Sequence, residues 1–273
     1  MGQGNRHRRA VEQSQDAAHG TSYDYTVGSP HLRHASLRTR IDGRIAEAVS
    51  SILQRQGVCS VLEVGAGHGS FTDTVLDAGG TVTVTEMSKA SFDHLAARFH
   101  DCPAVRVVYD ENGDAPFIDA EQYDVILLIS VIHHIPDYLS IVTRLCDTVL
   151  RPGGIMLTFQ DPLWYPRQKY WERCISWTLY FAWRVTQGEF RRGVATRWRR
   201  LRGVYSETES SDLVEYHVVR QGVDDLTLTQ TLSCRFDSVD VDRYFSTQSP
   251  PLQSVCEKFF PPNTFGIVAR DRR

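Results

Sequence analysis

From Ser36 to Gln56 the apolar positions Leu37, Ile41, Ile45, Val49, Ile52 and Leu53 recur at helical spacing, which predicts an amphipathic helix stopped by Gly57. The period then changes. "CSVLEV" (59–64), "TVTVTE" (81–86), "VRVVY" (105–109), "YDVILLIS" (123–130) and "IMLTFQ" (155–160) read as strands. Helical patterns alternate with them: one from about Ser70, one over 88–99 with Ser88 as N-cap, and one over 138–150 that "RPGG" ends. The nearly unbroken apolar run 123–130 is the mark of a strand covered on both faces. Strand and helix alternating at this short period predict a parallel sheet with crossover helices.

Past residue 160 the pattern loosens. Residues 162–202 are rich in aromatics and arginine. "SDLVEYHVVRQG" (211–222) reads as a capped helix that Gly222 ends, and "DDLTLTQTLSCRF" reads as another. "SVDVDRYF" and "NTFGIVARD" read as two closing strands that pair antiparallel. The expected fold is therefore α/β: a Rossmann-like, doubly wound, mostly parallel seven-stranded sheet. It carries a C-terminal antiparallel hairpin and a helical lid insertion after the fifth strand. Residues 23–273 are expected to form one domain, with N-terminal helices over 23–57 and an insertion over about 162–222. The polar, basic stretch 1–22 is expected to be a disordered tail.

The candidate chemistry begins at "EVGAGHGS". Gly65, Gly67 and Gly69 sit at every second position after the first strand. The dinucleotide fingerprint G-x-G-x-x-G is one residue longer, and no lysine follows as a nucleoside-triphosphate loop requires. The turn alone is compatible with a plain strand-to-helix junction. Glu86, at the end of the second strand, changes that, because a carboxylate there suits the two hydroxyls of a ribose. Histidines 133 and 134 follow the fourth strand, at the sheet edge where open α/β folds bind ligands.

Five motifs in order, "VLEVGAGHGS", "VTVTE", "DENGDAPF", "YDVILLISVIHHIPD" and "VLRPGGIMLTF", cover roughly residues 58–160. With them the chain resembles a class I S-adenosylmethionine-dependent methyltransferase of the small-molecule type. The resemblance implies S-adenosyl-L-methionine as cofactor. Gly65, Ala66, Gly67 and Gly69 would approach its amino-acid end, and Glu63 would meet its ammonium group. Glu86 would bind the ribose, Met87 would pack on the adenine, and Asp110 or Glu111 would accept from the adenine amino group. Ser130 would lie near the sulfonium. The implied function is methyl transfer to oxygen or nitrogen of a small molecule in specialised metabolism. A cofactor-binding relative with non-methylating chemistry such as cyclisation, or a nucleic-acid methyltransferase, are the alternatives.

Methyl transfer from a sulfonium is an in-line displacement, so it needs a positioned nucleophile and, for a protic one, a base. The candidate bases are His133, His134 and His217, the last beside Tyr216 and Arg220 on the helix 211–222. Candidate substrate contacts are Tyr25, His31, Gln160, Asp161, Trp164, Tyr216 and Arg220. The aromatics of 164–183 suit either a packed core or a water-excluding lid over an aromatic substrate. Six arginines between Arg191 and Arg202 suit either a solvated basic face or an anionic substrate.

Composition narrows the partners. The formal net charge of −3 over 273 residues does not favour nucleic acid. The longest apolar stretch, Ile175 to Trp183, is too short to span a bilayer. Six scattered cysteines form no ligand-spaced pair, so no metal site is expected and most are expected to be reduced core residues. A cytoplasmic monomer or homodimer is the expectation.

Overall fold

The computed structural model describes residues 29–118, 121–186 and 222–273. A four-residue helical turn, Pro30–Arg33, leads into α1 (Ala35–Gln56). Leu37, Ile41, Ile45, Ala48, Val49 and Ile52 form the buried stripe of α1, and Gly57 ends it at φ 78°, its N–H bonded to the Leu53 carbonyl at 2.8 Å. There follow β1 (Ser60–Val64), α2 (Ser70–Asp77), β2 (Thr81–Glu86), α3 (Lys89–Arg98), β3 (Val105–Tyr109), β4 (Tyr123–Ile129), α4 (Tyr138–Arg144) and β5 (Leu150–Pro162). After β5 come α5 (Tyr170–Thr186), α6 (Asp225–Ser233), β6 (Phe236–Tyr244), α7 (Pro250–Phe259) and β7 (Thr264–Arg272). Ser88 caps α3 as expected, its hydroxyl accepting from the Ser91 N–H.

The seven strands form one sheet in the order β3-β2-β1-β4-β5-β7-β6. The five from β3 to β5 are parallel, and β7 pairs antiparallel with both β5 and β6. The apolar run in β4 feeds two cores by period-two alternation. Val125, Leu127 and Ile129 pack with α1, α2 and α3, whereas Ile126 and Leu128 pack with α4 and α6. The order reverses between β1 and β4, the switch point beyond whose carboxyl ends such sheets bind ligands.

Several boundaries differ from the sequence expectation, among them the helix read as far as Phe236, which ends at Ser233 so that Phe236 opens β6. The helix expected over 138–150 ends at Arg144 and is followed by one wide i→i+5 turn, Leu145–Val149. Strand β5 is longer than 155–160, because Leu150 already pairs with Tyr123 ahead of a register shift. The closing strands are antiparallel as expected but are not a tight hairpin. Helix α7, started by Pro250, lies between them, and it buries only Gln253 and Cys256, too few positions to give a hydrophobic period. The expected helix 211–222, the tail 1–22 and the arginines 191–202 lie outside the described residues. Cysteines 59, 146 and 256 are buried, but Cys102 and Cys174 are half-exposed and Cys234 is exposed, so only half fit the expected core role.

Close packing is most demanding where β7 crosses β5. Gly266 pairs with Phe159, and a Cβ there would overlap the fully buried Phe159 ring. Gly266→Ala is therefore expected to destabilise the protein by about 1–3 kcal/mol, measured as a fall in denaturant midpoint. An unchanged midpoint would contradict this packing.

Among the described residues no helix is long and apolar enough to cross a membrane, and no three His, Cys, Asp or Glu side chains are grouped to hold a metal ion.

Candidate functional site

The glycine loop is built by backbone geometry. Gly65, Gly67 and Gly69 all have positive φ, at 67°, 59° and 77°, a region that residues with a Cβ seldom adopt. The Gly65 and Ala66 N–H groups both reach the Thr85 carbonyl, which ties the loop to β2. A Cβ on Gly65 would stand 3.0 Å from Val131, so this loop abuts the one after β4. A Cβ on Gly69 would stand 2.7 Å from the Phe99 ring, which explains glycine at the start of α2.

Three carboxylates lie in or just after the strands around this loop. Glu86, buried at the end of β2, accepts the Gly67 N–H on Oε2 at 2.8 Å and the Ser88 N–H on Oε1 at 2.9 Å. Each oxygen has a further lone pair for a second donor. Asp110, the residue after β3, is buried, and its Oδ1 accepts the N–H groups of Asp114 and Ala115. Glu111 beside it is exposed, so Asp110 is the better-anchored of the two expected adenine contacts. Burial pushes both Glu86 and Asp110 upward from the usual carboxylate range, opposed by the backbone donors. Met87 projects its methyl group towards Gly113 in the loop after β3, at 3.6 Å from where a Cβ would stand. Glu63 is buried inside β1, where burial pushes its carboxyl up to about 7 and the Thr72 hydroxyl donates to it at 2.6 Å.

Beyond β4 and β5 the backbone is strained at two non-glycine positions. Ser130 has φ 61° and Gln160 has φ 67°. Such left-handed conformations cost roughly 1–3 kcal/mol each and concentrate at functional sites. At Ser130 the strain turns the chain into the His133 loop, with the Ser130 N–H bonded to the Phe159 carbonyl. At Gln160 it makes the register shift between Phe159 and Asp161. The Gln160 N–H donates to the Tyr244 hydroxyl, and its amide donates to Ser246.

His133 is held by Asp161. The imidazole Nδ1 lies 2.8 Å from Asp161 Oδ1, which also accepts the His133 backbone N–H. The Thr158 hydroxyl donates to the other oxygen at 2.6 Å. With N–H and O–H donors already on both oxygens, the carboxyl is arranged to accept, which assigns the proton of His133 to Nδ1 and leaves Nε2 with a lone pair. Burial drives both partners towards neutrality, the carboxyl upward and the imidazole downward. His134 packs against His133 with ring centroids 4.0 Å apart.

Of the expected site residues, Glu63, Gly65, Ala66, Gly67, Gly69, Glu86, Met87, Asp110, Ser130 and His133 gather at the carboxyl ends of β1 to β4. Asp161, expected as a substrate contact at the end of β5, does not reach a substrate directly. It is fully buried behind His133, with both oxygens engaged. Gln160 is likewise nine-tenths buried and engaged. Trp164 is half-buried under the Arg167 guanidinium, 5.3 Å from the ring centroid. In the described part of the expected lid, Tyr170, Trp171 and Trp177 are exposed. His31 is buried beside Phe71. Tyr25, Tyr216, His217 and Arg220 lie outside the described residues. Sequence reasoning missed Thr72, Thr158 and Tyr244, which anchor Glu63, Asp161 and Gln160. Tyr244 is 84 positions from its partner, and no local pattern announces such a contact.

This geometry fits S-adenosylmethionine: a left-handed glycine loop beside a buried carboxylate, and a second carboxylate at the next strand end. Residues 62–156 match the family model of a methyltransferase domain. Over 102 residues the chain is 29% identical to the ubiquinone biosynthesis O-methyltransferase of Actinobacillus pleuropneumoniae, covering 35% of this chain and 43% of that protein. Over 122 residues it is 32% identical to fumosorinone synthetase of Cordyceps fumosorosea, covering 41% of this chain and 3% of that protein. The chain thus spans less than half the length of these curated relatives. The crystal structure of the N-methyltransferase NodS from Bradyrhizobium japonicum, in complex with S-adenosylhomocysteine, superposes with a TM-score of 0.54. That similarity covers 97% of this chain and 98% of NodS at 14% identity, and it shows the fold.

Proposed function

We propose that the class I S-adenosylmethionine-dependent methyltransferase domain of this chain methylates an oxygen or nitrogen of a small molecule, in specialised metabolism. The observation that carries the reading is Glu86, set by two backbone N–H groups at the end of β2 and facing the left-handed glycine loop. When bound, S-adenosylmethionine supplies an electrophilic methyl group whose transfer breaks the S–CH3 bond, leaves the electron pair on sulfur and forms the new O–CH3 or N–CH3 bond.

The chain's residues then divide the work. Glu86 holds the ribose hydroxyls, Asp110 accepts from the adenine amino group, and Met87 packs on the ring. Glu63 takes the ammonium of the amino-acid end. His133 receives the nucleophile's proton on Nε2, while Asp161 keeps the ring in the required tautomer. A weak base suffices, because an attacking hydroxyl or amine becomes strongly acidic as its bond to the methyl carbon forms. The match to fumosorinone synthetase supports the natural-product setting and the match to the ubiquinone biosynthesis O-methyltransferase supports an oxygen acceptor, each through its matched segment alone.

The test is incubation with S-adenosylmethionine and a panel of phenols, catechols and amines, read as S-adenosylhomocysteine release together with a mass gain of one methyl on the acceptor. S-adenosylhomocysteine release without a methylated acceptor would overturn the reading.

Donor binding should also depend on pH with a definite sign. Glu63 titrates near pH 7 in the free protein, with Thr72 bonded to it and Asp73, Glu86 and Arg38 as its charged neighbours. Only the carboxylate pairs with an ammonium, so below that pH binding must expel a proton. Affinity for S-adenosylhomocysteine is expected to fall by up to tenfold per pH unit between 7 and 5.5. Calorimetry should show that Glu63→Gln binds more weakly at pH 8 and loses most of this slope. A slope identical in the variant would remove Glu63 from the ammonium site.

A further inference from the structure

The glycine loop is tied down from a side that its own motif does not include. Glycine loses more conformational freedom on ordering than other residues, and this loop holds three at positive φ. Its N–H side is fixed to β2, where Gly65 and Ala66 donate to the Thr85 carbonyl and Gly67 donates to Glu86. Its carbonyl side is held by Arg98, the last residue of α3. Nη1 of Arg98 donates to the His68 carbonyl at 2.6 Å. Nη2 pairs with Asp73 in the first turn of α2. One guanidinium thus joins the loop to the helix that follows it and to α3.

The surroundings back this grip. The Arg98 guanidinium lies 4.8 Å from the ring centroid of Phe99, the ring that fills the space beside Gly69. One turn earlier on α3, His94 stacks on the His68 ring with centroids 4.2 Å apart. The backbone and the side chain of His68 therefore meet the same face of α3. Arg98 and Asp73 are both half-exposed, and such an ion pair adds little to global stability. A charge-assisted bond to a main-chain carbonyl is directional, so its effect is on where the loop stands.

We infer that Arg98 is a positioning residue for donor binding. Through the His68 carbonyl it clamps the glycine loop in the left-handed form that receives the amino-acid end of S-adenosylmethionine. The inference rests on the methyltransferase reading and deepens it. A loop that visits its competent form only part of the time binds more weakly in proportion to that fraction. The adenosine end has its carboxylates at the ends of β2 and β3, so the clamp bears chiefly on the other end of the donor.

Two ligands separate this role from a general loss of structure. S-adenosylhomocysteine carries the amino-acid end, whereas methylthioadenosine shares the adenosine and the thioether and lacks it. By calorimetry, Arg98→Ala is expected to bind S-adenosylhomocysteine about tenfold more weakly. Methylthioadenosine affinity should stay within about twofold of wild type, which also shows that the variant is folded. Hydrogen exchange without ligand reads the loop directly. The amides of Gly65, Ala66 and Gly67 should exchange at least about fivefold faster in the variant, while those of β4 keep their rates. Equal weakening of both ligands, unchanged S-adenosylhomocysteine affinity or unchanged loop exchange would each overturn the inference. Failure of the wild-type protein to bind S-adenosylhomocysteine would instead overturn the methyltransferase reading, and this inference with it.

Discussion

Glu86→Gln is expected to weaken S-adenosylhomocysteine binding at least 100-fold with little change in the folded state. The carboxylate can accept about four hydrogen bonds, and the Gly67 and Ser88 N–H groups already take one on each oxygen. An amide of the same shape keeps one oxygen and turns the other acceptor into a donor. That donor faces a backbone N–H whichever way the amide is flipped, so one contact becomes repulsive. On the ligand side, each hydroxyl bond to a charged acceptor contributes about 1.5–3 kcal/mol. Losing both amounts to roughly a hundredfold to twenty-thousandfold in affinity. Calorimetry at pH 8, where Glu63 is ionised, checks this without an acceptor substrate, and a thermal melt separates it from unfolding. Affinity within threefold of wild type would mean that the ribose lies elsewhere.

Much of this scaffold was legible in residue order. Strands β1 to β4 and helix α1 have boundaries within a residue or so of those expected, because each is a strongly periodic run closed by a local signal such as Gly57 or the Ser88 cap. Glu63, Glu86 and Asp110 were legible for the same reason: they belong to strands whose ends sit at one edge of the sheet by topology. What was not legible is what crosses the fold. Asp161 reads in sequence as a substrate-contacting acid at a strand end, yet the bulge at Gln160 turns it under His133, 28 positions away. Helix α7 escaped because its burial is carried by a glutamine and a cysteine, not by an apolar stripe. His31 meets Phe71 of α2 by the docking of its turn, which also touches the segment before α7, where His34 Nε2 meets the Thr247 carbonyl.

The same tertiary contact carries the largest catalytic effect. Asp161→Asn is expected to lower turnover about 100- to 1,000-fold while S-adenosylhomocysteine affinity stays within about threefold. In the wild-type chain the carboxyl accepts from Thr158, from the His133 backbone and from the His133 ring. With asparagine, the amide oxygen keeps the Oδ1 position, where it accepts from the His133 backbone and the His133 ring, and the amide nitrogen takes the Oδ2 position and donates to the Thr158 hydroxyl. The ring keeps its tautomer but loses the negative charge that stabilises the imidazolium formed as the proton arrives. The exchange is nearly isosteric and sits away from the ribose and adenine carboxylates, which is why donor binding should survive it. Two measurements check this independently. Nitrogen-15 spectra of histidine-labelled protein should show His133 protonated on Nδ1 in both proteins, with no acceptor present. Single-turnover rates with the acceptor found in the panel should fall in the variant all the same. A full rate in the variant would remove Asp161 and His133 from proton transfer and leave the reaction to positioning alone.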